Sequence, residues 1–273
     1  MTRTLENQTL LYDADCPLCR VYTKGFIDAG MLDENGKKPY CQLTIEEQSF
    51  IDVNRASNEI ALVDNVNKTV IYGIDSLLRI IGFSFPWMEK VGNWKPVKFL
   101  LKKLYSFISY NRKVIIPSRI NREIKLQCVP DFSYKWRYIY IVFAWLVSSL
   151  IVFNYVLLIF QGFASFQLIS FAIFIQLPFQ SLFLMKFDKE ITLNYIGNLI
   201  TISLFGSLLL LPMYIIKLLF VIYSEYNIIY LAITILIMIY EHYRRLSVLE
   251  MPRYLVLSWL TLYGFMIYAL LLL

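Results

Sequence analysis

The apolar positions of this chain fall into two regimes that meet near residue 138. From Tyr138 to Met185 there are 48 consecutive residues without a charged side chain, interrupted only by the turn-forming pair Gln161-Gly162. A spanning helix needs about 20 apolar residues, so this stretch predicts two membrane crossings joined by a tight turn. A third uncharged run extends from Ile191 to Ile216. A fourth, holding Glu225, runs from Leu218 to Tyr240, and the last begins at Leu255. The pattern predicts about five transmembrane helices. It leaves open whether Pro212 to Lys217 forms a loop or the third helix continues to about Tyr223.

The N-terminal part has short apolar runs bounded by turn residues. Thr9 to Tyr12 predicts a buried strand, and Pro17 opens a helix, because a missing N–H costs nothing in the first turn. After Gly36 comes a second apolar stretch, Tyr40 to Ile45, then a helical segment starting near Glu46. Ile60 to Val63 and Thr69 to Tyr72 flank Asn65-Val66-Asn67-Lys68, which predicts a hairpin. Ile74 to Ile81 and Val97 to Ile108 have helical spacing. The resulting order is βαβαββα.

Charge sharpens this division. Residues 1 to 87 carry 8 basic and 12 acidic side chains, and residues 88 to 137 carry 12 and 3. The basic excess is therefore local and immediately precedes the apolar half, as expected for attraction to anionic headgroups, and the basic helix from Lys95 to Lys113, with Asn111-Arg112, is expected to rest against them. Nucleic acid is not an expected partner, since the interleaved motifs of such modules are absent. Seven Lys and Arg lie between Arg112 and Arg137, and Arg244, Arg245 and Arg253 lie between the fourth and fifth spans. Lys186 and Lys189 fall on the same side, and the other side offers only Lys217. By the positive-inside rule the chain is expected to be an integral inner or plasma membrane protein with a cytosolic N-terminal domain and an external C-terminus. The polar start, Met1 to Asn7, gives no signal-peptide expectation. The expected organisation is a domain over 1–115, a basic juxtamembrane linker over 116–137, and a membrane domain over 138–273.

Candidate chemistry gathers at the cysteines. All four, Cys16, Cys19, Cys41 and Cys128, precede the apolar half. A strand running into Asp13-Ala14-Asp15-Cys16-Pro17-Leu18-Cys19 places Cys16 at a helix N-terminus, where the partial positive charge and free N–H groups favour a thiolate. Cys19 faces the same side one turn later and is placed to resolve a mixed disulfide formed at Cys16. Cys16 is expected at the exposed helix start and Cys19 further in. Asp13 and Asp15 oppose the thiolate, so its pKa is expected to be less depressed than in a strong oxidant. Zinc needs about four ligands where the motif offers two, so no metal or other cofactor is expected. Cys41 reads as a small buried hydrophobe or a third thiol, and Cys128 as incidental.

In the spans, Gln167, Gln176, Gln180, Asn194 and Asn198 are expected to bridge helices or to line a small site, with Glu225 the one acid near a span. The single histidine, His242, is expected in a loop near headgroups. No cysteine follows Cys128, which excludes a relay of thiols through the membrane.

The run Tyr12-Asp13-Ala14-Asp15-Cys16-Pro17-Leu18-Cys19-Arg20 resembles the signature of the DCC (DUF393) thiol-disulfide oxidoreductase family, named for Asp-x-x-Cys-x-x-Cys. Gly73 after the hairpin, and Tyr105 followed by Asn111-Arg112, resemble its closing pattern. The resemblance covers roughly residues 8 to 115. It implies a thioredoxin-like α/β fold joined here to an all-α polytopic membrane domain. It also implies dithiol-disulfide exchange with a thiol or disulfide protein substrate, Asp13, Cys16 and Cys19 being carried over as catalytic residues. No proline lies between Pro39 and Pro86, where a thioredoxin presents one to align its substrate. A non-catalytic docking or assembly module on the same fold stays open as an alternative.

Overall fold

A computed structural model describes residues 4–118, 126, 128, 130–159, 165–220 and 223–271. The chain forms two compact units, Met1–Trp136 and Arg137–Leu273.

The first unit is built on a four-stranded sheet in the order β2-β1-β3-β4, from β1 (Gln8–Tyr12), β2 (Lys37–Pro39), β3 (Ala61–Asp64) and β4 (Thr69–Tyr72). β1 runs parallel to β2, with Leu10 opposite Lys37, and antiparallel to β3, with Leu10 opposite Leu62. β3 and β4 form the expected hairpin. Its turn is held by Asp64 Oδ1, which accepts from the N–H groups of Val66 and Asn67. Alternate side chains of a strand point to opposite faces, and the sequence uses both. Leu10 and Leu62 pack on one face with Leu5, Leu32, Ile60 and Ile80, whereas Leu11, Ala61 and Val63 pack on the other with Tyr40, Leu43 and Ile51. A sheet buried on both sides has no polar face, which explains the unbroken apolar runs of β1 and β3.

Helix α1 (Pro17–Asp28) connects β1 to β2. The apolar stretch from Tyr40 is not the strand its composition predicts. β2 ends at Pro39, which lacks a ladder donor, and Tyr40–Gln42 turns as a short 3-10 helix. The Tyr40 side chain is buried and its hydroxyl donates to Val53 O at 2.8 Å. Two short helices follow. α2 (Ile45–Gln48) is opened by a reciprocal capping box between Thr44 and Glu47, and α3 (Val53–Asn58) by Asp52. After the hairpin come α4 (Ile74–Ser84), α5 (Pro86–Asn93) and α6 (Lys95–Ile115). α5 has no counterpart in the sequence expectation, and α6 extends beyond Val97–Ile108 at both ends. Pro86 and Pro96 lie in the first turns of α5 and α6, where proline starts a helix instead of breaking one.

The second unit consists of α7 (Tyr134–Ile159, beginning in the first unit), α8 (Phe166–Leu182), α9 (Lys189–Leu219), α10 (Ser224–Val248) and α11 (Tyr254–Leu271). Three of these, α7, α9 and the stretch Glu225–Val248 of α10, are long and apolar enough to cross a membrane; α8 and the stretch Tyr254–Met266 are shorter apolar helices. The third run does not end at Pro212, because α9 passes through it to Leu219. The turn expected at Gln161-Gly162 lies outside the described residues. Polar side chains join Leu199, Ile200, Ile202 and Leu246 in the interior, and the exterior is apolar. Ser148, Ser149, Gln176, Gln180, Asn198 and His242 are buried, while Phe143, Leu146, Leu208, Ile233, Leu236 and Leu257 face outward. An apolar exterior with the polar side chains turned inward is the arrangement hydrocarbon surroundings favour.

Candidate active site

The site is assembled where β1 gives way to α1. Cys16 is the N-cap of α1 with extended backbone (φ −91°, ψ 111°), and Pro17 follows at the first helical position. Asp13 shapes the loop before it. Its backbone carbonyl accepts from Cys16 N–H at 3.2 Å, and its Oδ1 accepts from Asp15 N–H at 3.0 Å. The Asp13 side chain is buried, and Lys113 of α6 pairs with its Oδ2 at 3.0 Å. Its charge is thereby opposed by a cation that sequence reasoning did not place there.

Cys16 and Cys19 come together as the spacing requires. The Cys19 thiol donates to the Cys16 sulfur, which is the main reason Cys16 is lowered from the ordinary thiol range to about 6. Burial acts against this, the Cys19 backbone N–H and the Arg112 charge support it, and Asp13 opposes it. Cys19 moves the other way. Holding its proton on the Cys16 sulfur, in a buried setting, raises it well above the usual range. Tyr22, on the next turn of α1, is pushed up chiefly by burial and hydrogen-bonds Cys19. The pair is thus one thiolate and one thiol sharing a proton.

Accessibility departs from expectation. Cys16 is 0 % exposed and Cys19 3 %, so the helix start is covered. The neighbouring cavity, lined by Asp13, Ala14, Asp15, Tyr40, Cys41, Leu126 and Cys128, measures about 30 Å³. That admits a water molecule but no peptide. A protein disulfide would therefore reach Cys16 only after local opening.

The residues that sequence reasoning assigned to headgroups or left incidental form the other wall. Asn111 and Arg112 are buried, which corrects the expectation that they rest against lipid. Three side chains on one face of α6, at helical spacing, clamp the segment before β3. The Tyr105 hydroxyl accepts from Ile60 N–H at 2.7 Å, Ser109 donates to Asn58 O at 2.6 Å, and Arg112 donates to Ser57 O at 2.9 Å. Arg112 also donates to Cys128 O and Cys128 Sγ, at 3.1 and 3.3 Å. Burial raises Cys128 to about 11 despite that guanidinium, so this thiol stays protonated at neutral pH. Arg112 itself is raised: burial opposes its charge, but Cys128, Cys19, Asp13 and Cys16 favour it. One buried cation thus acts on three of the four cysteines. The spacing Tyr105, Ser109, Arg112 was the available signal, since it marks one helix face with polar groups where an outer face would alternate with Lys.

Gly73 closes the clamp from the sheet side. Its φ is +66°, its N–H donates to Ile60 O at 2.8 Å, and an added Cβ would lie 2.8 Å from a Glu59 carboxylate oxygen. Gly73, Tyr105 and Arg112 are distant in sequence yet all hold residues 57–60.

Among the described residues, no group of three His, Cys, Asp or Glu side chains is placed to hold a metal ion. In the second unit, His242 lies within α10 and not in a loop. It is buried against Tyr195 (3.2 Å between Tyr195 OH and Nε2), which in turn contacts Gln180, itself bonded to Ser258. Asn194 accepts from Arg137 and Asn198 from Arg245, at 3.0 and 2.8 Å, so these polar residues do bridge helices. Comparison with known proteins adds no assignment: no family model, curated protein or solved structure matches the chain.

Proposed function

We propose that the chain is a membrane-anchored thiol-disulfide oxidoreductase whose reactive pair is Cys16 and Cys19. The single observation behind this reading is the N-cap position of Cys16 with the Cys19 thiol one turn inside, on the same side. The βαβ and ββα halves, with strand order β2-β1-β3-β4 and β3 antiparallel to its neighbours, support a thioredoxin-like frame around it. The motif Asp13-x-x-Cys16-x-x-Cys19 and the closing residues support placing the chain with the DCC family.

In the reaction, the Cys16 thiolate attacks one sulfur of a substrate disulfide. That S–S bond breaks, a mixed disulfide forms, and the first substrate sulfur leaves as a thiolate that takes a proton from water. Cys19 then attacks the Cys16 sulfur. Its proton goes to the second departing substrate sulfur, and the Cys16–Cys19 disulfide forms. The substrate disulfide is reduced to two thiols and the pair is oxidised, with two electrons transferred. Asp13 positions the loop through its bonds to Asp15 and Cys16, and Arg112 favours the thiolate. The membrane unit crosses the bilayer about five times, with the redox unit cytosolic; reporters fused at the two termini should read opposite sides.

The complete burial of Cys16 favours a second reading, a docking or assembly module that keeps the fold without turnover. Trapping separates the two. Cys19→Ser should accumulate a mixed disulfide at Cys16, and Cys16→Ser should accumulate none. If neither variant traps, and the wild-type pair forms no intramolecular disulfide at any glutathione ratio, the docking reading replaces the enzymatic one.

A further inference from the structure

The first unit presents an apolar face that its own core does not use. On α5 and just after it, Trp87, Val91 and Trp94 are 64 %, 51 % and 65 % exposed; on α6, Phe99, Leu100 and Leu104 are 65 %, 67 % and 50 % exposed. Phe99, Leu100 and Leu104 share one arc of α6 by their spacing, opposite the Tyr105, Ser109 and Arg112 face that grips residues 57–60. Scattered exposed apolar residues need no explanation, but two tryptophans, a phenylalanine and two leucines on adjoining helices do. The charges around them are mostly positive. Between Pro86 and Leu104 there are five lysines, Lys90, Lys95, Lys98, Lys102 and Lys103, and one acid, Glu89. Lys98 and Lys102 reach Asp75, at 2.7 and 3.8 Å, while Lys90, Lys95 and Lys103 are exposed. Lys103 lies over the Phe99 ring, 5.4 Å from its centroid.

We propose that this α5–α6 face is a docking surface for an anionic lipid bilayer, entered by Trp87, Trp94, Phe99 and Leu100 and framed by lysines on phosphate. Aromatic rings at headgroup depth, with lysine stems lying along apolar surface and ammonium groups turned to phosphate, are the chemistry of a membrane interface. A second copy of the chain fits less well. A symmetric contact would bring the same lysines of both copies together, with only Glu89 and Asp75 among them to offset the repulsion. The surface narrows and extends the sequence expectation for the basic helix Lys95–Lys113: Asn111 and Arg112 are buried, the exposed apolar residues of α6 lie about two to four turns earlier, and Trp87 and Val91 of α5, with Trp94, join them. The proposal rests on the membrane anchoring described above and is independent of the thiol chemistry. Its consequence is an orienting contact, with α6 held at the lipid by one face and to the redox loop by the other.

The test uses the full chain in nanodiscs of zwitterionic lipid or of lipid containing phosphatidylserine, and in detergent micelles. A membrane-impermeant amine reagent is applied and each lysine is read by mass spectrometry, with exposed Lys37 and Lys68 as internal references. Labelling of Lys95 and Lys103 should fall several-fold in the anionic discs relative to the zwitterionic ones. The protection should weaken at 1 M salt, where the Debye length is about 3 Å. Joint Phe99→Asp and Leu100→Asp substitution, at exposed positions that leave the core intact, should abolish it. Equal labelling in all three environments overturns the proposal. Equal protection in detergent and in both lipids also overturns it, because protein then covers the face. A chain that fails to enter nanodiscs at all refutes the membrane anchoring instead, and the docking surface with it.

Discussion

Removing Cys19 should undo most of what distinguishes Cys16, because the Cys19 thiol hydrogen bond is the largest of the influences lowering it to about 6. At pH 7 a thiol of pKa about 6 is about 90 % thiolate, whereas one at about 8.5 is about 3 % thiolate, a ratio of about 30. The gain in rate is much smaller. Intrinsic nucleophilicity falls with a Brønsted coefficient of about 0.4–0.5, so 2.5 pKa units cost roughly tenfold and leave a net advantage of about threefold. Burial then slows the reaction by the opening equilibrium, so an absolute rate diagnoses nothing. The midpoint does. The open, reactive thiolate equilibrates with the closed one, so the pH at half-maximal rate reports the populated closed state. Iodoacetamide alkylation of the reduced full chain, followed between pH 4 and 10 by mass spectrometry of the Cys16 peptide, should give a midpoint near 6. In Cys19→Ala it should move toward about 8.5. The sign follows from the lost donor: without it the charged form loses stabilisation and the pKa rises. A wild-type midpoint near 8.5, or one near 6 that is unchanged in Cys19→Ala, refutes the shared-proton account.

Smaller movements of the same midpoint test the charges around the pair. Arg112→Gln should raise it by removing the cation, and Arg112→Lys should return part of the shift; Asp13→Asn should lower it, since Asp13 opposes the thiolate. No movement in any of the three would leave Arg112 and Asp13 as structural residues only. Tyr105→Phe should leave the Cys16 midpoint nearly unchanged but orphan the Ile60 N–H, a loss of about 1–3 kcal/mol visible in thermal unfolding. A wild-type melting profile in that variant would argue that the 57–60 segment is held without its α6 clamp.

Local rules carried the sequence reading furthest where one residue decided the structure. Pro17 set the start of α1 and with it the N-cap position of Cys16, and the Asn65–Lys68 tetrad set the β3–β4 hairpin. The reading failed where long-range pairing overrode composition. Tyr40 to Ile45 has the residues of a strand, yet Tyr40 is drawn into the core beneath Val53 and the chain turns. Burial of Cys16 was illegible for the same reason. It depends on what packs over the motif, and the Arg112 and Cys128 contacts join residues 16 positions apart to a segment more than 50 positions earlier. Arg112 and Lys113 looked like part of a basic belt because charge counting registers sign and not direction. On α6 the helical period turns one set of cations to the exterior and these two toward the interior, where Lys113 meets Asp13 of the loop before Cys16.

For the proposed exchange, the electrostatics of the pair also set the direction it would favour. Stabilising the Cys16 thiolate stabilises the dithiol relative to the disulfide, so a lower thiol pKa means a higher reduction potential. Thioredoxin, with a thiol pKa of about 7, lies at about −270 mV, and DsbA, at about 3.5, lies at about −120 mV. A Cys16 near 6 belongs between them, closer to the reducing end, provided the disulfide forms without strain. Full burial does not alter that ordering, because opening is common to both redox states unless one of them is itself more open. Equilibration of the full chain with glutathione buffers, quenched by acid and read by mass shift after alkylation, gives the potential directly. Arg112→Gln should lower it and Asp13→Asn should raise it, each in step with the alkylation midpoint. A pair whose potential stays fixed while its midpoint moves would show that the thiolate is not the species whose stability governs exchange, and the proposed role of Arg112 would fall with it.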